Sequence, residues 1–330
     1  MRTHLLAATA LALTSLAVPA LAQTAQTAPA AAPVAAKPAA LVADGVPTVP
    51  QALVDQTRPY LEFRTAAFTD WDPNSRSMLV STRFGNVAQL HTVAGPLQMR
   101  RQISFEAEPL SGAYAPNDGT LVVSKDKGGD EFYQLYTLKD GRLTLLTDGK
   151  SRNQFSGFSR DGKWLAYTST RRNGTDNDIY VVDPRDPATG RMVAQVEGGG
   201  WAVADFAPDN ASAVVAKYNS VQKTDLFRLD LASGAMTPIG NHKKAIAYGG
   251  AQYAPDGTLW VTSDEGSDFQ RLGTLDPKTG KFTPRSAETK WYIDGFDIAK
   301  DGSFIAYVVN EAGTSRLRLL DPRTGAVREV

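Results

Sequence analysis

The chain has 330 residues, with 35 Lys and Arg against 35 Asp and Glu, so its formal net charge at pH 7 is zero. No global electrostatic field therefore draws it to nucleic acid or to anionic lipid. Cysteine is absent, which excludes disulfides, thiolate metal sites and a cysteine nucleophile. Stability must come from packing, and the periodicity of the sequence has to decide between one large domain and two smaller ones.

The first 22 residues have the features of a secretory signal peptide. A short start with Arg2 and His4 precedes an apolar run from Leu5 to Val18, and Ala20-Leu21-Ala22 is an A-x-A cleavage site. We therefore predict export with cleavage after Ala22. Because a protein without cysteine suits a bacterial periplasm, we predict a periplasmic or secreted location, with no membrane span after cleavage.

Residues 23–50 consist mainly of Ala, Pro, Thr, Val and Gln, with almost no charged or aromatic side chain. Such a stretch has little to bury and predicts a disordered, partly extended linker. The remaining residues, 51–330, are predicted to form a single repeat domain on the grounds that follow.

An internal repeat is the strongest signal in the chain. An aromatic residue stands three positions before an Asp or Asn that opens a tight turn, and this anchor recurs every 43 to 48 residues. One copy has an inserted residue and the last has Ile in place of the aromatic. The six anchors are Trp71 with Asn74, Tyr114 with Asp118, Phe158 with Asp161, Phe206 with Asp209, Tyr253 with Asp256, and Ile298 with Asp301.

Each anchor is followed by the same succession of strands and turns. A turn, commonly Asp-Gly, leads into an apolar strand, as in Asp161-Gly162 before Trp164 to Tyr167, and Gly accepts the positive φ that such hairpins require. A third strand begins with an apolar residue 16 to 18 positions after the anchor, and a second turn such as Asp276 to Gly280 leads to a fourth. The first apolar residues of the third strands are Leu90, Leu135, Ile179, Leu226, Leu272 and Leu317.

Four short strands per period of about 45 residues are typical of a propeller blade. The inner strands are almost continuously apolar, which is expected where neighbouring blades cover both faces of a sheet. The sequence therefore predicts an all-β fold, a β-propeller of four-stranded blades with six repeat units between about Glu62 and Val330.

Two segments resemble the propellers of the prolyl oligopeptidase family of serine peptidases, in particular its dipeptidyl and acylaminoacyl peptidase branches. The segment from Asp126 to Tyr136 resembles the loop between the second and third strands of those propellers. The sequence from Phe158 to Tyr167 is similar to segments of the propellers of the same family and also to the propeller of the periplasmic Tol system. The resemblance covers the chain from Tyr60 to Val330.

Membership of that family implies an α/β-hydrolase domain with catalytic Ser, Asp and His. This sequence has no G-x-S-x-G nucleophile elbow, and its only histidines are His4, His91 and His242. We therefore predict no catalytic residues and no activity for this chain alone, as if it were truncated before the hydrolase domain. Because propellers of the family usually have seven or eight blades, six units are interpreted as an incomplete ring, and a closed six-bladed ring is the alternative.

Acidic side chains of the blade loops are the candidates for a binding site. Some relatives hold the amino group of a substrate with propeller carboxylates, which makes Asp130 and Glu131 candidate substrate-binding residues by resemblance. The competing interpretation is a solvated loop shaped by Asx turns. No EF-hand pattern is present, so no metal and no cofactor is predicted. The pairs Arg100-Arg101 and Arg171-Arg172 are either anion sites or solubilising features of sheet edges.

Two functions from different classes follow. The first is a substrate-gating propeller of an exported serine peptidase, which meets its peptide substrate through a separate hydrolase domain, binds no nucleic acid and can self-associate through open blade edges. The alternative is a non-catalytic six-bladed periplasmic propeller for protein–protein interaction, as in the Tol system. A metal-dependent propeller hydrolase ranks third, because no set of inward ligands can be identified.

Overall fold

The computed structural model describes residues 32–330, which fall into two units, residues 32–63 and 64–330. The signal peptide predicted for residues 1–22 lies outside the described residues. In the first unit, residues 32–50 are mostly exposed and contain only turns and one bridge between Val34 and Pro50. A helix, α1 (Gln51–Leu61), follows Pro50, whose fixed φ suits the residue before a first helical turn.

Helix α1 corrects the sequence analysis, which assigned the chain from residue 51 onward to the propeller. The pattern of alternating strands begins only at Ala66. None of the eleven residues of α1 is buried. No helix among residues 32–330 is long and apolar enough to cross a bilayer.

The second unit consists of six antiparallel sheets of four strands, each built from strands consecutive in the chain. The predicted blades are confirmed as a β-propeller with six blades in a ring. Blade 1 contains β1 (Ala66–Trp71), β2 (Met78–Thr82), β3 (Gln89–Val93) and β4 (Arg100–Gln102); blade 2, β5 (Ser111–Tyr114), β6 (Leu121–Lys125), β7 (Gln134–Lys139) and β8 (Arg142–Leu145); blade 3, β9 (Asn153–Phe158), β10 (Leu165–Ser169), β11 (Asp178–Asp183) and β12 (Asp186–Ala194). Blade 4 contains β13 (Trp201–Phe206), β14 (Ser212–Ser220), β15 (Lys223–Asp230) and β16 (Met236–Ile239); blade 5, β17 (Tyr248–Tyr253), β18 (Leu259–Ser263), β19 (Arg271–Leu275) and β20 (Phe282–Pro284); blade 6, β21 (Ile293–Ile298), β22 (Ile305–Glu311), β23 (Thr314–Leu320) and β24 (Val327–Glu329).

Apolar clusters between successive blades form the core. The cluster between blades 1 and 2, for example, joins Leu79 and Leu90 to Leu121 and Val123, all with at most a few per cent exposure. Four equivalent clusters link each later blade to the next. Burying a Leu or Val side chain stabilises the fold by about 1.5–3 kcal/mol, so these interfaces hold the blades together.

The strand directions sort the connections onto two edges of the propeller. Loops between second and third strands, and connections from one blade to the next, lie at one edge, here named the loop edge. Turns between first and second strands, and between third and fourth strands, lie at the opposite turn edge. The predicted Asp-Gly turns, such as Asp161-Gly162 with Gly162 at φ +66°, lie at the turn edge.

Candidate functional site

The loop of residues 126–133 joins β6 to β7 at the loop edge of blade 2. Asp126 is buried, and its carboxylate accepts a hydrogen bond from the Glu131 N–H at 3.0 Å. Asp130 accepts one from the Phe132 N–H at 2.9 Å. Two carboxylates of the predicted acidic loop are therefore used to shape its backbone, in the manner of Asx turns.

Glu131 has a different role, because the loop presents its side chain to solvent. Its φ is +61°, in the left-handed region that a non-glycine residue adopts only at some cost in energy. The carboxylate lies 3.3 Å from Nη2 of Arg152, and that guanidinium also lies 5.5 Å from the centroid of the Phe132 ring. Because both charged groups are about half exposed or more, the pair contributes little stability and is free to exchange partners.

Glu131 and Arg152 border a cavity of about 430 Å³ between the loop edges of blades 2 and 3. Aromatic rings and small polar side chains form its walls. The lining residues are Ser111, Ser124, Glu131, Tyr133, Arg152, Asn153, Gln154 and Phe155. Asp130 does not line this cavity, so the structure brings only Glu131 of the two predicted residues to it.

A buried amide network fixes the floor of this cavity. Asn153 is 2% exposed, and its Nδ2 donates to the carbonyl of Tyr133 at 3.0 Å and to that of Ser151 at 2.8 Å. Gln134 Nε2 donates to the same Ser151 carbonyl at 2.6 Å. Since each amide links blade 2 to the start of blade 3, the cavity has a preorganised base.

The segment before Arg152 is held by Asp148. Burial alone would raise the pKa of the Asp148 carboxyl, but hydrogen bonds from the Ser151 hydroxyl and from the N–H groups of Ser151 and Lys150 lower the pKa below its usual value. The charged carboxylate therefore stabilises the turn that carries Arg152 at neutral pH.

The two described histidines lie apart from this cavity. His91 is buried in β3, and its Nδ1 contacts the Gln89 carbonyl at 3.0 Å. His242 lies between blades 4 and 5, with its Nε2 near the carbonyls of Leu226 and Ile239. Within residues 32–330 neither ring has a serine hydroxyl as a hydrogen-bond partner. Nor do these residues contain a group of three or more His, Asp or Glu side chains arranged to hold a metal.

Exposed aromatic side chains are concentrated at the loop edge, and sequence reasoning missed them as a group. The sequence signal was available, because each of them lies in or beside a connection that follows a second or fourth strand. Trp291, for example, is 42% exposed in the connection between β20 and β21. The group comprises Phe84, Phe105, Phe132, Tyr133, Tyr218, Trp291 and Tyr292.

Comparison with solved structures places this fold among known propellers. A prolyl endopeptidase matches with a TM-score of 0.68 and 14% identity, over 85% of this chain and 44% of that one. Puromycin hydrolase matches with a TM-score of 0.62 and 16% identity, over 81% of this chain and 47% of that one. The chain folds as the propellers of these hydrolases do. It spans less than half the length of either protein, and the resemblance to this group is confirmed at the level of the fold.

Proteins with other names share the fold. TolB from Acinetobacter baumannii matches with a TM-score of 0.51 and 17% identity, over 80% of this chain and 62% of that one. An oligogalacturonate lyase in complex with manganese matches with a TM-score of 0.63 and 13% identity, over 81% of this chain and 77% of that one. No family model and no curated protein matches the sequence. A shared propeller does not by itself assign an activity.

Proposed function

We propose that this chain is the substrate-selecting propeller of an exported serine peptidase. The observation that carries the proposal is the match to prolyl endopeptidase and puromycin hydrolase over more than four fifths of this chain but less than half of theirs. The catalytic Ser, Asp and His belong, in this proposal, to a separate α/β-hydrolase domain that the propeller covers.

The proposed selection acts at the loop edge. Exposed aromatic side chains there offer apolar area for a docked domain, and Trp291 and Tyr292 lie at the connection to the last blade. A substrate that reaches the catalytic groups has to pass the propeller, so short or unfolded peptides enter and folded proteins stay outside. Selectivity then comes from steric exclusion, and the chemistry is done elsewhere.

The cavity between blades 2 and 3 is where, in this proposal, the propeller contacts the peptide substrate directly. Glu131 supplies an acceptor for a substrate amino group, and Arg152, its present partner at 3.3 Å, supplies donors for a peptide carbonyl or carboxylate. The Tyr133 and Phe155 rings supply apolar walls. Export through the predicted signal peptide would place this binding in the periplasm or outside the cell.

The test compares two proteins from the same gene, residues 1–330 and the product of the reading frame continued past codon 330. We expect the longer product to cleave short peptides and to be blocked by a serine-directed fluorophosphonate, whereas residues 1–330 show no turnover. Cleavage by the purified 330-residue chain would overturn the proposal. So would a continued frame that encodes no hydrolase domain.

The contact role of Glu131 has a sharper test in the longer protein. We expect Glu131→Gln to raise KM about tenfold for peptides with a free amino terminus, since a charge-assisted hydrogen bond is lost, and to leave kcat within about twofold. N-acetylated peptides should show no change. Glu329→Gln in the exposed outer strand β24 is the control, and an equal effect of both variants would contradict the assignment.

A non-catalytic scaffold is the second candidate, favoured by the match to TolB over 62% of that chain. The two candidates differ in how the isolated 330-residue chain behaves. A gating propeller should self-associate through its open blade edges and through exposed apolar side chains such as Leu317 of blade 6. A scaffold should sediment as a stable monomer and bind another envelope protein, which sedimentation velocity distinguishes.

A further inference from the structure

Two arginines of blade 1 share a single phenyl ring. Cζ of Arg100 lies 4.7 Å and Cζ of Arg64 lies 5.4 Å from the centroid of the Phe84 ring. Phe84 belongs to the loop between β2 and β3 and is 49% exposed. Two positive charges are therefore held beside one accessible ring.

Neither of these guanidinium groups is neutralised by the described part of the chain. Arg100 donates a hydrogen bond of 3.4 Å to Thr82 Oγ1, and within residues 32–330 neither it nor Arg64 forms an ion pair with a carboxylate. Several other arginines of the propeller do have acidic partners, whereas Arg64 and Arg100 share one ring without an ion pair to the described residues, and like charges repel each other unless an anion lies near both. The arginines with partners include Arg152, Arg160, Arg172, Arg185 and Arg318.

The buried histidine that contacts this ring provides an independent observation. The His91 ring contacts the Phe84 ring edge-on with centroids 5.5 Å apart, and His91 itself is only 1% exposed. Its Nδ1 contacts the Gln89 carbonyl, whereas its Nε2 is buried without any hydrogen-bond partner. A buried polar atom left without a partner is uncommon and indicates a place where a polar ligand or water belongs.

These groups share one face of the blade 1 sheet. Leu79 and Leu90 pack into the cluster between blades 1 and 2, so the alternate positions Thr82 and His91 belong to the opposite face. The Arg100-Arg101 pair is divided in the same way. Arg101 lines the groove between blades 1 and 2, and Arg100 turns to the Phe84 side.

We propose that Arg64, Arg100 and Phe84 form a binding site for an oxyanion, namely a carboxylate or a phosphate group. A guanidinium presents parallel donors that match two anion oxygens, and two guanidiniums around one anion replace a repulsion by charge-assisted hydrogen bonds. The Phe84 ring contacts both groups before binding, and the buried His91 ring packs edge-on against it. This site is separate from the Glu131 cavity and does not depend on a hydrolase domain.

Calorimetric titration of the purified 330-residue chain at low salt tests the proposal with three probes. They are acetyl-Ala-Ala with a free carboxylate, its C-terminal amide, and inorganic phosphate. We expect saturable binding of at least one anion, weakened by added salt, and no binding of the amide. Tighter binding of the peptide acid identifies a carboxylate ligand, and tighter binding of phosphate identifies a phosphoryl ligand. Absence of saturable anion binding, or equal binding of acid and amide, would overturn the proposal.

Substitutions test whether the measured anion binding depends on Arg64, Arg100 and Phe84. We expect Arg100→Gln and Arg64→Gln each to weaken the anion about tenfold, and Phe84→Leu to weaken it about threefold by loosening both guanidiniums. Arg142→Gln is the matched control, an exposed arginine at the turn edge of blade 2. All four positions are exposed, so the variants should fold, which circular dichroism verifies. If Arg100→Gln bound the anion as tightly as Arg142→Gln does, the site would be wrong.

Discussion

Blades 3 and 6 have closely similar second strands but bury them differently. The apolar runs are Trp164 to Tyr167 in blade 3 and Phe304 to Tyr307 in blade 6. All five residues of β10 are buried, whereas in β22 buried residues alternate with partly exposed ones. The third strands differ more, since five of six residues are buried in β11 and only Leu320 is buried in β23.

The difference comes from neighbours and not from the blades themselves. Blade 3 shares one apolar cluster with blade 2 and another with blade 4, while blade 6 contributes to a cluster with blade 5 alone. Within residues 64–330, the other face of blade 6 keeps apolar side chains such as Leu317 partly exposed. A blade sequence thus specifies a sheet that can be covered on both faces, and its position in the ring decides how many faces are covered.

The largest expected effect is a matched pair of leucine truncations. Leu165 in β10 has no exposed surface, whereas Leu317 in β23 is 41% exposed. We expect Leu165→Ala to lower the free energy of unfolding by about 3 kcal/mol, through lost burial and a cavity, and Leu317→Ala to lower it by less than about 1 kcal/mol. Urea denaturation of both variants measures the difference. Equal losses would mean that the face carrying Leu317 is covered in solution.

The same two positions show what the sequence predicts and what it does not. The first apolar residue of each third strand was located from spacing alone, and the first five of the six are at most 1% exposed, Leu135 and Leu272 among them. Leu317 was located equally well along the chain, but its burial depends on a neighbouring sheet. Spacing encodes position within a blade, and it carries no information on what lies against that blade.

The candidate site was less predictable than the fold. Glu131 was predicted from the sequence of its loop. The cavity that it borders is also lined by Ser111, Ser124 and Phe155, which come from three different strands. Which residues line the cavity depends on how blades 2 and 3 pack together, and a local sequence pattern does not predict that packing. Helix α1 was missed for a simpler reason, because residues 51–61 were assigned to the propeller together with the strands that follow.

Two glycines at equivalent turns allow a second comparison between a blade that is covered by its neighbours and blade 6, which is covered on one face. Gly234 and Gly325 close the turns between third and fourth strands of blades 4 and 6, with φ of +74° and +73°. A Cβ on Gly234 would lie 2.3 Å from the Val193 carbonyl oxygen of blade 3, whereas one on Gly325 would meet nothing within 4 Å.

We therefore expect Gly325→Ala to cost only the left-handed backbone penalty, about 1 kcal/mol, and Gly234→Ala to cost about 2 kcal/mol more, because the turn must move away from blade 3. Thermal denaturation of the two variants measures this. If the two substitutions lower the stability equally, the turn at Gly234 in blade 4 does not pack closely against Val193 of blade 3.

The smallest expected effect concerns two equivalent aspartates, Asp205 and Asp297, each directly before the first residue of a repeat anchor. Asp205 Oδ2 of blade 4 accepts the Tyr253 N–H of blade 5 at 2.7 Å and lies 2.9 Å from Nη2 of Arg160 in blade 3. Asp297 of blade 6 is exposed, and its Oδ1 accepts only the N–H of Ile298 among residues 64–330. One carboxylate thus links three blades, and the other links none.

Burial raises the pKa of Asp205 above its usual 3.8, although the Tyr253 N–H and Arg160 favour the charged form. The folded protein therefore binds a proton that the unfolded chain has released, and this stabilisation, present at low pH, is lost as the pH rises from 3.8 through the raised pKa. Because Asp205→Asn keeps an uncharged acceptor for Tyr253, we expect it to be at least as stable as the wild type at pH 7. Its advantage should shrink below pH 3.8, and Asp297→Asn should stay within about 0.5 kcal/mol throughout. A marked loss of stability in Asp205→Asn at pH 7, measured by urea denaturation, would show instead that the charge pair with Arg160 outweighs burial in joining blades 3 and 4.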